Sequence, residues 1–395
     1  MPIDYGLIFS QATSSAVPGV ANTPIAVVGT ATTGTAVNNR LYQVTNAADA
    51  LTLFGTQAAG ATIPRCLEVL QRYGCGNILV VRVAVGADAA ATETNLIGGV
   101  DGVTGARTGL QLLRDSYSQL GFTPDIILTP TFSSAAVVTA ALAVAASQRA
   151  IYIANFTANS LVADALAARA TNTGLGTKDK RLIATFPHLK RSSDNTILET
   201  VSSHLAGVIA RLDYDANYGR SPGNQLLRGV NATDINMSLS YTDEASDTER
   251  LADVGIVTVN RQQADLVSWG HRNGSFASQA QSGDLLTFIN SVRVQDRVTN
   301  LLEYRAQKFL DLPSNRRTAT LLEESFNSAL SIEQSTGAIA ALPGTGATFL
   351  EAQSDYPTGR LKYSISIAPF PPTRLIDITT YLTSFDVVIN LGGVA

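Results

Sequence analysis

The 395-residue chain is short of the residue types on which most catalytic and metal chemistry depends: two cysteines, three histidines, two methionines and one tryptophan. Cys66 and Cys75 stand nine residues apart. They could be two free thiols or one loop-closing bridge, and the thiol reading is preferred because a chain of this size buries a core without a covalent staple. Neither belongs to a paired CxxC or to a cluster with histidine, which removes a zinc site of the usual spacing. His188, His204 and His271 lie far apart in no HxxxH or HExxH arrangement, and each is read as a surface or partly buried polar residue.

Charge is also scarce. Charged residues make up 15% of the chain against 45% hydrophobic, and the formal net charge is -4. Such a balance exerts no general pull on nucleic acid or an anionic membrane, and no such partner is expected. A charge-poor surface suits a chain that covers much of itself in contacts with other subunits. Long apolar runs are missing too: none approaches the roughly 20 residues needed to span a bilayer, so membrane insertion is not expected. The start, "MPIDYGLIFSQATSS", has no basic stretch and carries Asp4, which sets it apart from a secretory signal.

What is present includes two stretches with the outline of an active site. "TPIAVVGTATTGTA" (23 to 36) runs from an apolar strand into a turn with Gly29 and Gly34 five apart, the glycine spacing of a phosphate-binding loop. A working loop of that kind needs a lysine after the second glycine. Thr35 stands there, and no lysine or arginine occurs before Arg40. GxGxxG is absent as well. "GRSPG" (219 to 223) matches GxSxG around Ser221. In a hydrolase elbow the residue after the serine donates its backbone N–H to the oxyanion, and here that residue is Pro222, which has none. "DYD" (213 to 215) resembles part of a calcium loop without its glycine and glutamate, so Asp213 and Asp215 are read as closing a turn. No catalytic residue, metal or cofactor is expected. An α/β hydrolase or nucleotide-binding enzyme stays as the alternative function.

The chain alternates buried strands with helices from about Ile25 to about Asp213. "NILVVRV", "PDIILTP", "AIYIANF" and "RLIATFP" are apolar runs of strand length, rich in Ile and Val. "ARTGLQLLRDSYSQLG", "SSAAVVTAALAVAASQ", "SLVADALAARATNTG" and "DNTILETVSSHLAGVIARLD" read as helices, with Ser133 and Ser160 as N-caps and Gly121 and Gly174 as stops. This order predicts an α/β fold with a mostly parallel sheet flanked by helices. Beyond about 250, "GIVTVNRQQADLVSWGHRNGS" alternates like strands. "GDLLTFINSVRVQDRVTNLLEYRAQKFLD" (283 to 311) and "SNRRTATLLEESFNSALSIEQS" read as helices, and "GRLKYSISIAPFPPTRLIDITTYL" as strands.

Arg293, Arg297, Arg305 and Lys308 are spaced by four, eight and three along the first of these helices, and Arg316 and Arg317 open the second. They are either a solvated face with carbon stems over apolar surface, or a basic strip facing an acidic partner.

Several stretches resemble the sheath subunit of contractile injection machines, the family of myophage tails and R-type pyocins. "HLAGVIARLDYDANYGRSPGNQLLRGV" (204 to 230) is similar to the family's helix ending in AG-x-x-A-R-x-D followed by a turn and a -SPAN-like loop, with Gly223 as a departure. "GIVTVNRQQADLVSWGHRNGS" resembles its G-I-x-T and tryptophan-glycine-x-arginine segment through Trp269, Gly270 and Arg272. "GFTPDIILTP" and "TPIAVVGTATTGTA…LYQVTNAADALTLFG" resemble its G-x-x-P strand and its N-terminal portion, and the matches run from about 24 to 382.

The resemblance implies a structural protein and not an enzyme. Its organisation would be an N-terminal arm (1–20), an N-terminal portion (21–100), a central α/β domain with a subtilisin-like layer (101–250), an α+β C-terminal domain facing a tube (251–378) and a C-terminal arm (379–395). The partners it implies are the chain itself, in hexameric rings stacked as a helix, an inner tail tube protein, and baseplate and terminator proteins; the location is a virion tail assembled in host cytoplasm. The arms are expected to add strands to neighbours through Tyr5, Leu7, Ile8 and Phe9 and through Phe385, Val387, Val388 and Ile389. A 17-residue arm reaches at most roughly 55 Å. In this setting the basic strip of Arg293, Arg297, Arg305, Lys308, Arg316 and Arg317 faces the tube.

Overall fold

Runs of Ile and Val without alternation demand burial on both faces, and they form the centre of a six-stranded sheet. In the computed structural model, which describes residues 23–374 except 241, 279, 280 and 282, the strands are β1 (Ile25–Thr30), β2 (Leu41–Val44), β3 (Ile78–Val83), β4 (Ile126–Leu128), β5 (Ile151–Asn155) and β6 (Leu182–Thr185). Their order is β2-β3-β1-β4-β5-β6. All neighbours run parallel except β2, which is antiparallel to β3 at the edge.

β1 lies at the middle, and its side chains alternate between two cores. Ile25 and Val27 point toward the helices Ile63–Arg72 and Val201–Asp215. Ala26 and Val28 point the other way, toward Ala135–Gln148 and Val162–Ala170. Helices therefore cover both faces, as the alternating pattern requires. Gly207 lets the two helices of the first face meet: a Cβ there would stand 2.4 Å from Cδ2 of Tyr73.

A third core joins the helices Ile289–Gln307 and Arg316–Ser335 to an antiparallel hairpin, Gly346–Phe349 with Tyr363–Ser366. Val294, Val298 and Leu302, four apart, face Leu322, Phe326 and Leu330 of the second helix.

Some boundaries differ from the sequence reading. "DNTILET" is a strand, Asp194–Thr200, paired to His188–Arg191, and the helix starts only at Val201 with Thr200 as its cap. Its β-branched residues take the extended form once a partner strand is available. The cap of the 135–148 helix is Ser134, not Ser133; that of the 162–170 helix is Leu161, not Ser160; and that helix stops at Thr171, not at Gly174. Gly121 does stop its helix, at φ 82°. Asp213 and Asp215 belong to the last turn of a helix rather than to a loop.

Candidate functional site

The crevice outside the carboxyl ends of β1 and β4, where the strand order reverses, is where open α/β sheets hold ligands. Its cavity, about 330 Å³, is lined by Gly60, Thr62, Arg65, Cys66, Thr131, His188 and Ser203 among others. These polar groups mostly serve the fold. His188 Nε2 lies 2.9 Å from the Phe156 carbonyl, Arg65 donates to Leu198 O at 3.0 Å, and Ser203 bonds Thr200. Burial pushes the Cys66 thiol up to about 12, far from a reactive thiolate. Both cysteines are free and buried. Gly34 has φ 89°, and a Cβ on it would strike the Leu53 carbonyl at 2.3 Å. That glycine therefore lets the turn after β1 pack on the helix Ala47–Phe54. Ser221 Oγ accepts from the Gly223 N–H at 3.4 Å, a local turn contact. Among the described residues no group of three or more His, Cys, Asp or Glu is placed to hold a metal, and no helix is long and apolar enough to cross a membrane.

The three histidines are more enclosed than the sequence suggested. His204 is fully buried, and its ring joins Glu199 through Nε2 at 3.0 Å and the Tyr73 hydroxyl through Nδ1 at 2.9 Å. His188 is buried too, and His271 stacks on Phe288. Burial holds all three below the usual imidazole range.

The more informative site lies at the opposite end of the sheet, where the described residues begin and end. Pro24 O accepts from the Asp125 N–H at 2.9 Å, which fastens the entry of the chain to β4. Thr23 Oγ1 donates to Asp213 Oδ2 at 2.7 Å, and Arg293 grips both oxygens of the same carboxylate, at 3.0 Å through Nη1. One turn earlier on that helix, Asn290 Nδ2 donates to Phe370 O and to Gly219 O, each at 2.9 Å. Arg374, the last described residue, lies over Phe288 at 5.9 Å. The exits toward both terminal segments thus meet at the first turn of the 289–307 helix.

Beside this junction is a cavity of about 230 Å³ lined by Thr23, Asp125, Asp213, Tyr218, Arg293 and Arg297 with others. Burial raises the Asp125 carboxyl to about 6, against the pull of Arg293 and Arg297. Further along the helix, Asp296 pairs with both terminal nitrogens of Arg181 at 2.8 and 2.9 Å. Arg149 reaches Glu303 and Asn300. The face of the helix toward the sheet is therefore ionic, and the face toward Arg316–Ser335 apolar.

This placement splits the basic strip. Arg293 is buried and committed to Asp213, so it does not belong to an exposed strip. Arg297 lies over the Tyr218 ring at 5.8 Å beside the cavity. Lys308, Arg316 and Arg317 are exposed and Arg305 is half-buried, around the elbow between the two helices. Arg316 comes within 3.3 Å of Glu351. Tyr304, Leu310 and Leu312 are exposed at the same elbow.

The edges of the C-terminal hairpin are unequal. On strand 346–349, Asn327 binds Ala347 through both halves of its carboxamide, at 2.9 and 3.0 Å, and Glu323 Oε1 accepts from Phe349 N at 3.2 Å. Helix side chains thus occupy the peptide groups of that edge. Strand 363–366 presents its outer edge beside a groove of about 290 Å³, whose walls include Val298, Leu302, Phe326, Ile365 and Ile367. The arm residues Tyr5, Leu7, Ile8, Phe9, Phe385, Val387, Val388 and Ile389 lie outside the described residues.

The motif residues acquire physical roles here. Asp213, the last letter of AG-x-x-A-R-x-D, holds Arg293 and Thr23, and Gly207 in the same motif gives Tyr73 its room. Trp269 donates to Glu249 at 3.0 Å, and the Arg272 guanidinium lies 3.8 Å from the centre of the Phe288 ring. Sequence reasoning missed Asn290, Asp125 and Asn327, whose roles depend on partners 50 or more positions away or on a strand edge.

No family model matches the chain. It is 28% identical over 309 residues to a tail sheath protein of Burkholderia phage BcepMu, covering 76% of this chain and 64% of that protein. The chain thus spans slightly under two thirds of that relative's length. A protein described as a prophage major tail sheath protein of Pseudomonas aeruginosa strain UCBPP-PA14 is 25% identical over 335 residues, covering 84% of this chain and 82% of the other. The fold is similar to that of an extracellular contractile injection system, the PVC sheath complex in its contracted state. There the TM-score is 0.69 at 13% identity, over 96% of this chain and 98% of the other.

Proposed function

The chain belongs to the tail sheath protein family, and on that premise we propose that it polymerises as stacked hexameric rings around an inner tube and contracts to drive that tube through a host envelope. Members of this family are structural proteins and not enzymes. The observation that carries the reading to the level of residues is the unequal hairpin. One edge is filled by Asn327 and Glu323, while the edge of strand 363–366 is left beside an apolar groove. An extended segment that arrives there gains backbone hydrogen bonds from the edge and places alternate apolar side chains in the groove.

The incoming segments are the arms of neighbouring copies, residues 1–20 and 379–395, with Tyr5, Leu7, Ile8 and Phe9 or Phe385, Val387, Val388 and Ile389 as their contacts. Strand exchange of this kind keeps neighbours tethered while the rigid bodies turn. Contraction then needs two packings of one subunit, the contracted one lower in free energy, and no nucleotide. The elbow residues Arg305, Lys308, Arg316 and Arg317 face the tube, and baseplate and terminator proteins close the ends of the polymer. The assembled protein resides in the virion tail.

Deleting residues 379–395 tests this reading. The expected result is loss of polymer with the thermal melt of the body unchanged; polymer of normal length from the deleted chain would contradict it.

A further inference from the structure

Thr23 and Phe370 lie 347 positions apart, yet both lead to one helical turn, Phe370 directly through Asn290 and Thr23 through Asp213 to Arg293. The connection is continuous: Thr23 Oγ1 to Asp213, Asp213 to Arg293, three residues back along the helix to Asn290, and Asn290 Nδ2 to Phe370 O. Residues three apart on a helix share a face, so Asn290 and Arg293 act side by side. Both are buried, and Asn290 Oδ1 has no hydrogen-bond partner among the described residues. The carboxamide is therefore oriented by its two donated bonds, to Phe370 and Gly219. Arg293 is similarly constrained. Its guanidinium is enclosed, and removal of the Asp213 charge takes away its direct ion-pair partner and leaves only the more distant Asp125 and Asp296 to balance a buried cation.

We propose that the first turn of the 289–307 helix is a shared anchor that couples the exits of the two terminal segments, so that loosening one loosens the other. A stiff helical turn with two buried polar grips has few ways to release one and keep the other. In a polymer, pulling on one arm would then alter the hold on the other. That consequence rests on the sheath reading, whereas the coupling itself is measured on the unassembled full-length chain. Failure of one is thus distinguishable from failure of the other.

Each exit has its own readout. Arg374 is the only lysine or arginine after Lys362, so trypsin cleavage after it reports the C-terminal exit. Hydrogen exchange at the Asp125 amide, which donates to Pro24 O, reports the N-terminal exit. Asp213→Asn is expected to speed cleavage after Arg374 at least fivefold, and Asn290→Ala to speed exchange at Asp125 by a similar factor, since coupling is reciprocal. Arg181→Gln, which breaks the neighbouring pair with Asp296 on the same helix, is the comparison for general softening. If Asp213→Asn fails to fold, Thr23→Val removes one hydrogen bond from the same chain of contacts and is read in the same way. Substitutions that loosen only their own exit, or an equal effect from Arg181→Gln, would overturn the coupling.

Discussion

The Glu199 carboxylate and the His204 imidazole, both fully buried, meet at 3.0 Å and form the centre of a polar network that ties three parts of the chain together. Arg72 and Arg191 donate to the other carboxylate oxygen. Tyr73 bonds His204 Nδ1 and accepts from the Arg228 N–H at 2.9 Å. The order of donors follows: Arg228 N–H to Tyr73, Tyr73 O–H to Nδ1, and Nε2–H to Glu199, with a neutral ring. Burial raises the Glu199 carboxyl, but His204 and Arg72 outweigh it and hold the group near 2.

Stability is therefore expected to fall in acid. Glu199 sits below its ordinary 4.5, so its contribution is complete above pH 4.5 and is lost as pH drops toward 2. His204 is held below 6.5 by burial, so its neutral ring adds a loss in the same direction as pH falls through 6.5. The carboxylate share is about 3 kcal/mol. Urea unfolding across pH checks this, and Glu199→Gln should cost about 3–5 kcal/mol at pH 7 and flatten the acid limb.

Asp125 should behave in the opposite sense. Its carboxyl is raised from 3.8 to about 6, so the fold prefers the protonated form and stability declines as pH rises between those values. Asp125→Asn is expected to stabilise the chain by about 1–3 kcal/mol at pH 8 and by nothing near pH 3. Unfolding midpoints at the two pH values measure the difference.

Gly207→Ala should separate two helices. The new methyl group would lie 2.4 Å from Cδ2 and 2.7 Å from Cγ of Tyr73, next to the backbone end of the ring, where little can give. Overpacking of this sort costs about 1–3 kcal/mol. The near-ultraviolet signal of Tyr73 and its bond to His204 should change along with the unfolding midpoint.

The basic residues should divide into two classes. Arg317→Glu or Lys308→Glu is expected to leave the thermal melt unchanged and to weaken co-assembly with an acidic tube in a salt-dependent way. Arg293→Glu places a second carboxylate against Asp213 and should unfold the chain before any partner is involved. Melting curves beside co-sedimentation at two salt concentrations distinguish the classes. Equal effects on both readouts would contradict the division.

How far the fold could be read ahead depended on the range of the forces involved. The parallel sheet was legible because Ile25–Val28, Ile78–Val81 and Ile151–Ile153 are buried on both faces and show it as unbroken apolar runs. Strand 194–200 was not legible, since its exposed polar start and its apolar end give no alternation until His188–Arg191 pairs with it. Pro222 and the missing lysine after Gly34 were enough to set aside both enzyme-like motifs, since each removes a group the chemistry requires. Arg293 was misplaced for the converse reason. Spacing shows that it shares a helix with Arg297 and Arg305, but not that Asp213, 80 positions away, draws it inward. The exits at Thr23 and Phe370 could not be seen to converge, because nothing local in either segment records the other.

Whether this chain builds a sheath is measured by electron microscopy of the purified full-length protein, alone and with an added inner tube protein. Hollow, transversely striated cylinders of six subunits per ring are expected. Dispersed monomers at concentrations where the body is folded, with or without the tube, would contradict the sheath reading.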